Sequence, residues 1–291
     1  MTASRTAAMS RVDAHHHVWR LDRGDYGWLT PELAPIFRDF TLDDLRPLLA
    51  KVSIGATVLV QAAPSVAETE FLLQAAHASD RLVRGVVGWV DLAAPDVTAV
   101  LERLVQDPLL KSVRPMLQDI ADPEWILRAD VDRGIAVVER LGLRFDALVK
   151  PPQLPSVLRM IERHPDLPVV IDHGGKPSIG DRDWEPWASH IAELAAHGHV
   201  ACKLSGLATE AGPGWTSHTL SRYVDHLLAC FGSQRLLWGS DWPVVDLAGG
   251  YDRWARATDQ LLARLPEADR NAILGENARR FYGLETWPAK G

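Results

Sequence analysis

The chain has little of several features that would classify a protein quickly, and each shortage excludes something. Only two cysteines occur among 291 residues, Cys202 and Cys230, and they form no CxxC pair. A disulfide framework and a cysteine-built metal cluster are therefore excluded, and two buried thiols in a reducing, cytoplasmic compartment are expected. No run approaches the roughly 18 consecutive apolar residues of a membrane helix, so no membrane partner is expected. Lys and Arg number 31 against 38 Asp and Glu, a formal net charge of −7, and no basic stripe offsets that excess. Nucleic acid is excluded as a partner on that ground, and small-molecule chemistry is expected. No Gly-rich nucleotide-binding turn follows an early strand, which argues against an open doubly wound sheet. Repeats, linkers and low-complexity tracts are absent too, so one domain is the economical reading. The opening "MTASRTAAMSR" lacks the apolar stretch of a secretory signal. Residues 1–10 are expected to form a disordered extension, with Met9 a candidate natural start, ahead of a single domain over residues 11–291.

What the chain does have is an ordinary globular balance, 47% hydrophobic and 24% charged residues, together with eleven tryptophans. Several of these fall in loop-like segments ("YGWL", "PEWI", "DWEPW"), where aromatic rings more often wall a pocket than fill a core. Short β-branched or apolar runs recur at 11–17, 56–61, 83–90, 111–116, 144–149, 168–174, 200–205 and 235–241. Segments of helical period lie between them at 41–51, 65–79, 94–107, 131–142, 154–165, 187–198 and 219–232, with Thr41 placed as an N-cap and Gly142 as a stop. Strands alternating with helices of this length imply parallel pairing through right-handed crossovers. Eight such units in this length predict an α/β fold of the (β/α)8 TIM-barrel type.

In such a barrel, chemistry sits at the C-terminal ends of the strands. Strand one ends in "HHH", which looks at first like a tag or a metal tract. Alternation instead puts His15 and His17 on one face and His16 on the other. Later strand ends carry Arg114, Asp146, Asp172 and His173, Lys203 and Ser205, and Ser240 and Asp241. So many ionisable groups at one end would be a pointless desolvation cost in a purely structural barrel. Singly, each has a plainer reading: a strand-end His or Asp is commonly a hydrogen-bonding residue, Lys203 could be an ion-paired barrel residue, and Asp172 should face away from His173 into a structural role. Function rests on the conjunction of His15, His17, His173 and Asp241.

These residues carry a family resemblance. "VDAHHHVW", "VVIDHGGKP" and "LLWGSDWPV", in that order around eight βα units, resemble the amidohydrolase superfamily, and within it the amidohydrolase-2 group. "VVGWVDL", "VRPMLQD", "LGLRFDALV" and "CKLSGL" extend the similarity over nearly the whole chain and toward its sugar-acid lactonases, the L-fucono-1,5-lactonase and L-rhamnonolactonase branch. The resemblance implies that His15 and His17 are an HxH pair, His173 the strand-six histidine, Asp241 the strand-eight aspartate and Arg114 a strand-four group that grips the substrate. The chain departs from metal-bearing members at strand five, where "RFDALV" offers Asp146 instead of a histidine. His15, His17 and Asp241 could supply a ligand set for a divalent ion such as zinc. Without the strand-five imidazole, and with metal-free lactonases known in the superfamily, no cofactor is expected to be required.

The function expected is a hydrolase of carbohydrate catabolism that opens an aldono-lactone. Asp241 would activate water while His15, His17, His173 and Arg114 polarise the carbonyl. Trp28, Gln61, Trp89, Gln118, Asp146, Lys176 and Trp242 are expected to bind the substrate, although Trp28 and Trp89 would equally serve as rim packing and Lys176 as a loop anchor. Two alternatives stand beside this. One is a metal-dependent decarboxylase or hydrolase of an aromatic-ring-fragment acid in the same superfamily. The other is a non-catalytic sugar-acid binding barrel, against which the general base beside a polarising cluster weighs.

Overall fold

The structure is a computed structural model, and it describes residues 11–284; the expected extension over 1–10 lies outside the described residues. Eight parallel strands stand in sequence order: β1 (Arg11–His16), β2 (Ile54–Val60), β3 (Val83–Gly88), β4 (Leu110–Val113), β5 (Arg144–Ala147), β6 (Val169–Ile171), β7 (Val200–Leu204) and β8 (Leu236–Trp238). The sheet closes where His17 N–H donates to the Trp242 carbonyl (2.7 Å) and Asp241 N–H to the His15 carbonyl (2.8 Å), beside a parallel bridge between His16 and Trp242. This is the (β/α)8 barrel that the alternating pattern predicts.

Helices α1 (Leu42–Lys51), α2 (Val66–His77), α3 (Val97–Leu104), α4 (Ala129–Arg140), α5 (Leu154–Arg163) and α6 (Trp187–Ala195) alternate with the first seven strands, and α7 (Leu207–Ala211) and α8 (Ser217–Phe231) connect β7 to β8. Thr41 caps α1 as expected, its hydroxyl accepting from Asp44 N–H while the Asp44 carboxylate accepts from Thr41 N–H, so two otherwise orphaned amides are satisfied at once. Helix α5 buries Leu154, Val157, Met160 and Ile161 and turns Arg159, Glu162 and Arg163 outward, the single apolar stripe that docks a helix on a sheet. The chain beyond β8 is also helical, in α9 (Tyr251–Leu262), α10 (Glu267–Asn271) and α11 (Asn277–Tyr282).

Two apolar clusters result. The larger fills the shell between strands and helices. The smaller gathers Val12, Ala56, Val58, Val87, Val170, Ala201 and Leu237 inside the barrel, where Ala278, Tyr282 and Leu284 of the C-terminal segment pack against them. The lower half of the barrel is thus a dry floor, and the polar residues of the strand ends stand above it.

Candidate active site

Val12 and Ala14 belong to the interior cluster, so strict alternation would send His15 and His17 outward. A register irregularity between Asp13 and His16 in the β1–β2 pairing shifts the parity, a bulge that re-aims side chains. His15 and His17 therefore face the barrel interior. Asp13 faces out, fully buried, and accepts from His15 N–H (3.2 Å), Ser240 N–H (2.9 Å) and the Tyr251 hydroxyl (3.0 Å), which ties β1 to the segment after β8. Burial holds its carboxyl up at about 6 despite these donors. His16 is buried on the other face, and burial followed by the nearby His17 drops it to about 3. Gly239 crosses His15 so closely that a Cβ there would lie 2.6 Å from the His15 Cβ, which reserves that position for glycine.

Strand β6 ends at Ile171, and the chain turns so that His173 has φ 54°. This corrects the expectation for Asp172. Alternation does not extend through a left-handed turn, and both side chains point into the barrel. Asp172 is fully buried, accepts from Arg114 Nη1 at 3.2 Å and lies 3.0 Å from Lys203 Nζ. His173 Nδ1 meets the Ser205 hydroxyl at 2.9 Å. Gly206, at φ 68°, leaves room for its ring, since a Cβ there would come within 2.6 Å of ring atoms. Burial lowers His173 to about 4, against the opposing pull of Asp241 and Asp172, so the ring is neutral near pH 7.

Asp241 follows Ser240 with φ 59° and is 5% exposed. Its Oδ1 lies 3.3 Å from His17 Nε2, 3.7 Å from His15 Nε2 and 3.9 Å from His173 Nε2. Burial alone would raise its pKa, but His173, the His17 hydrogen bond and His15 outweigh that and hold the carboxyl well below the usual range. Asp241 is a carboxylate at neutral pH. Arg114 reaches the same group: its Nη1 is 3.4 Å from His15 Nε2, its Nη2 donates to the Gln61 carbonyl, and Gln61 Nε2 donates back to the Arg114 carbonyl at 2.8 Å.

Beneath these residues lies a buried polar layer. Lys203, fully buried, contacts Asp146 Oδ2 (2.5 Å), Asp172 Oδ1 (3.0 Å) and His15 Nδ1 (3.1 Å). Asp146 also accepts from Ser112 (2.5 Å) and from Tyr282 at the C-terminal end (2.7 Å). The substrate-binding expectation for Asp146 is corrected accordingly: with 0% exposure and donors on every side, it has no surface to offer a ligand.

Above the cluster opens a cavity of about 260 Å³ with His17, Arg114, His173 and Asp241 at its base. Trp28, Leu33, Met116, Leu148, Val244 and Leu247 make an apolar wall, and Gln118, Asp119 and Lys176 a polar one. Trp28 is anchored by its Nε1–H to the Ala62 carbonyl (2.7 Å) and Lys176 pairs with Glu210 (3.4 Å). Three other expected substrate residues do not line this cavity. Gln61 is spent on Arg114, the backbone of Trp89 is clasped by the Thr69 hydroxyl (2.7 and 2.8 Å), and Trp242 is buried edge-on against Phe40 (centroids 5.2 Å apart). Trp184 and Trp187 pack on Tyr223 and His226 and do not line this cavity. Sequence reasoning missed Asp119 and every member of the apolar wall except Trp28. Asp119 adjoins Gln118 in the loop after β4, but nothing in that loop's composition distinguishes a lining residue from a solvated one.

The residues fit a divalent ion. His17 Nδ1 donates to the Val60 carbonyl at 2.8 Å, which in the neutral ring turns the Nε2 lone pair toward the cavity, the outer-shell arrangement of a metal-binding histidine. His15, His173 and Asp241 have ligand atoms within 4.8 Å of one another, a group that differs from the expected His15, His17 and Asp241 in having His173 where His17 was expected.

Comparison with known proteins agrees with this architecture. The L-fucono-1,5-lactonase of Burkholderia ambifaria is 42% identical over 279 residues, covering 94% of this chain and 96% of that protein. The L-fucono-1,5-lactonase of Burkholderia multivorans is 38% identical over 290 residues, covering 94% and 96%. A crystal structure of an amidohydrolase from Burkholderia multivorans with bound zinc superimposes with a TM-score of 0.88 at 38% identity, covering 94% of this chain and 99% of that one. The family model described as amidohydrolase matches residues 12–284, and the chain belongs to that amidohydrolase family.

Proposed function

We propose that the protein hydrolyses an aldono-lactone to the open sugar acid. The observation that carries this is the convergence of three imidazoles on one oxygen of an ionised aspartate, at 3.3 to 3.9 Å, at the base of a cavity with an apolar and a polar wall. The two L-fucono-1,5-lactonases at 42% and 38% identity support the choice of a lactone over a decarboxylation substrate or mere binding.

A lactone is an activated ester, so a base, an oxyanion partner and a proton for the leaving oxygen suffice. Asp241 takes a proton from water as the water oxygen bonds to the carbonyl carbon. Arg114 and His173, at the base of the cavity, meet that oxyanion as hydrogen-bond donors, with the His15 and His17 rings beside them. The intermediate collapses by breaking the bond to the ring oxygen, and Asp241 returns its proton to that oxygen. Because Asp241 is held ionised, the base form is always present at neutral pH. Trp28 and the apolar wall cover one sugar face, and Gln118, Asp119 and Lys176 meet hydroxyls. His15, His17, His173 and Asp241 would hold a divalent ion, whose Lewis acidity would polarise the carbonyl when bound; the donors already present make it dispensable.

A panel of aldono-lactones including L-fucono-1,5-lactone, followed with a pH indicator, tests the proposal. Acid release from at least one member at a rate proportional to enzyme is expected. Failure of the whole panel, with and without added zinc, would overturn it.

A further inference from the structure

The mechanism leaves one buried cation unused. Lys203 stands under the site with no route to the cavity, and its Nζ has three neighbours: Asp146 Oδ2 at 2.5 Å, Asp172 Oδ1 at 3.0 Å and His15 Nδ1 at 3.1 Å. An ammonium has three donors and no lone pair. In every hydrogen bond of that ammonium the partner must accept, so His15 Nδ1, at 3.1 Å, must present a lone pair.

The alternative hydrogen placement fails at both ends of the ring. A proton on Nδ1 would face a Lys203 N–H at 3.1 Å, and its nearest acceptor, Asp172 Oδ1, is 3.6 Å away, beyond hydrogen-bond range. At the other end, an Nε2 lone pair would confront His17 Nε2 at 3.3 Å and Asp241 Oδ1 at 3.7 Å. His17 uses Nδ1–H on the Val60 carbonyl, which turns its Nε2 toward the same space, where a neutral ring would offer a lone pair. A proton on His15 Nε2 separates these lone pairs. Arg114 Nη1 also lies 3.4 Å from His15 Nε2, a longer contact than that of Lys203 with Nδ1, and it donates to Asp172 Oδ2 at 3.2 Å.

We infer that Lys203 is a positioning residue that acts through His15, fixing the ring with its proton on Nε2, where it faces His17 Nε2 and the Asp241 carboxylate. Asp146, which the strand-five sequence offers where a histidine is expected, has its place in this device: with Ser112 and Tyr282 it holds the lysine in position. The catalytic consequence rests on the lactonase reading; the tautomer does not.

The test separates the two. Two-bond 1H–15N correlation spectra of the metal-free wild-type enzyme, with the His15 ring assigned by its loss in His15→Gln, are expected to show the proton on Nε2. A proton on Nδ1 would overturn the inference whatever the enzyme hydrolyses. The paired variant Lys203→Met with Asp146→Asn removes one charge of each sign and leaves Asp172 its Arg114 partner. If folded by circular dichroism, it should lose the Nε2–H preference in the same spectra and lose about 10- to 100-fold in kcat on L-fucono-1,5-lactone with little change in KM. An unchanged His15 spectrum or an unchanged kcat in the folded variant would also sink it. Should the variant not fold, the wild-type spectrum still decides.

Discussion

Asp241 Oδ1 and His17 Nε2 lie 3.3 Å apart although 224 residues separate them in the chain. Closure of the barrel makes the contact, because the backbone of Asp241 and Trp242, just after β8, pairs with His15 and His17. The proposed base and the imidazole beside it are therefore held by the same seam.

Asp241→Asn tests the base most directly. Asparagine tolerates the left-handed backbone at φ 59° and keeps a hydrogen-bonding side chain, so the fold should persist. Lactonase kcat is expected to fall about 10²- to 10⁴-fold, the usual worth of a positioned base. Activity within a few-fold of wild type would remove Asp241 from that role.

Gly206→Ala tests the packing of His173. A Cβ would lie 2.6 Å from the His173 ring, at a backbone φ of 68°. Strain of about 1–3 kcal/mol is expected in urea unfolding, with a larger proportional loss in kcat than in stability because the ring must move. A variant with wild-type kinetics would show that His173 has slack.

On the polar wall, Lys176→Met should raise KM while kcat changes little. Lys176 lines the cavity and is paired with Glu210 at 3.4 Å, away from the reacting carbonyl, so its contact is shared by ground and transition states. A loss confined to kcat would place it in the chemistry.

The loop that carries Trp28 should show a pH signature. Tyr26 donates to Glu68 at 2.8 Å, Ala62 N–H donates to it at 3.2 Å and Arg23 lies 3.3 Å away, while Asp25 adds a like charge nearby. Burial raises Glu68 to about 7 from 4.5 in spite of those donors. A raised carboxyl pKa means that the folded state holds the proton longer than the unfolded one. The contribution to stability is full below about 4.5 and is lost as pH climbs to about 7. Unfolding free energy should therefore fall over that window in wild type, and Glu68→Gln should flatten the profile. Parallel profiles would contradict it.

Chelation followed by metal analysis tests the dispensability of an ion. The metal-free enzyme should keep most of its lactonase activity, since imidazoles and Arg114 already surround the carbonyl site. Activity that vanishes with the metal and returns only with zinc would make the ion essential.

The sequence by itself determined the barrel and the four residues at its centre. Eight apolar runs spaced by helical periods admit few other architectures, and His15, His17, His173 and Asp241 fall at strand ends where loops leave room for a ligand. The helices after strand eight were not legible, because without a following strand nothing marks where they must return. Tertiary structure decided the rest. A bulge in β1 and a left-handed turn after β6 broke the two-residue alternation from which side-chain direction was read, so Asp172 turned inward beside His173. Closure brought Lys203 and Tyr282 to Asp146, turning an expected substrate contact into part of a buried ionic floor. Which of Trp28, Gln61, Trp89, Gln118 and Trp242 reach the cavity depended on loop paths. Residue type restricts what a side chain can do, but only the path of the backbone decides what it meets.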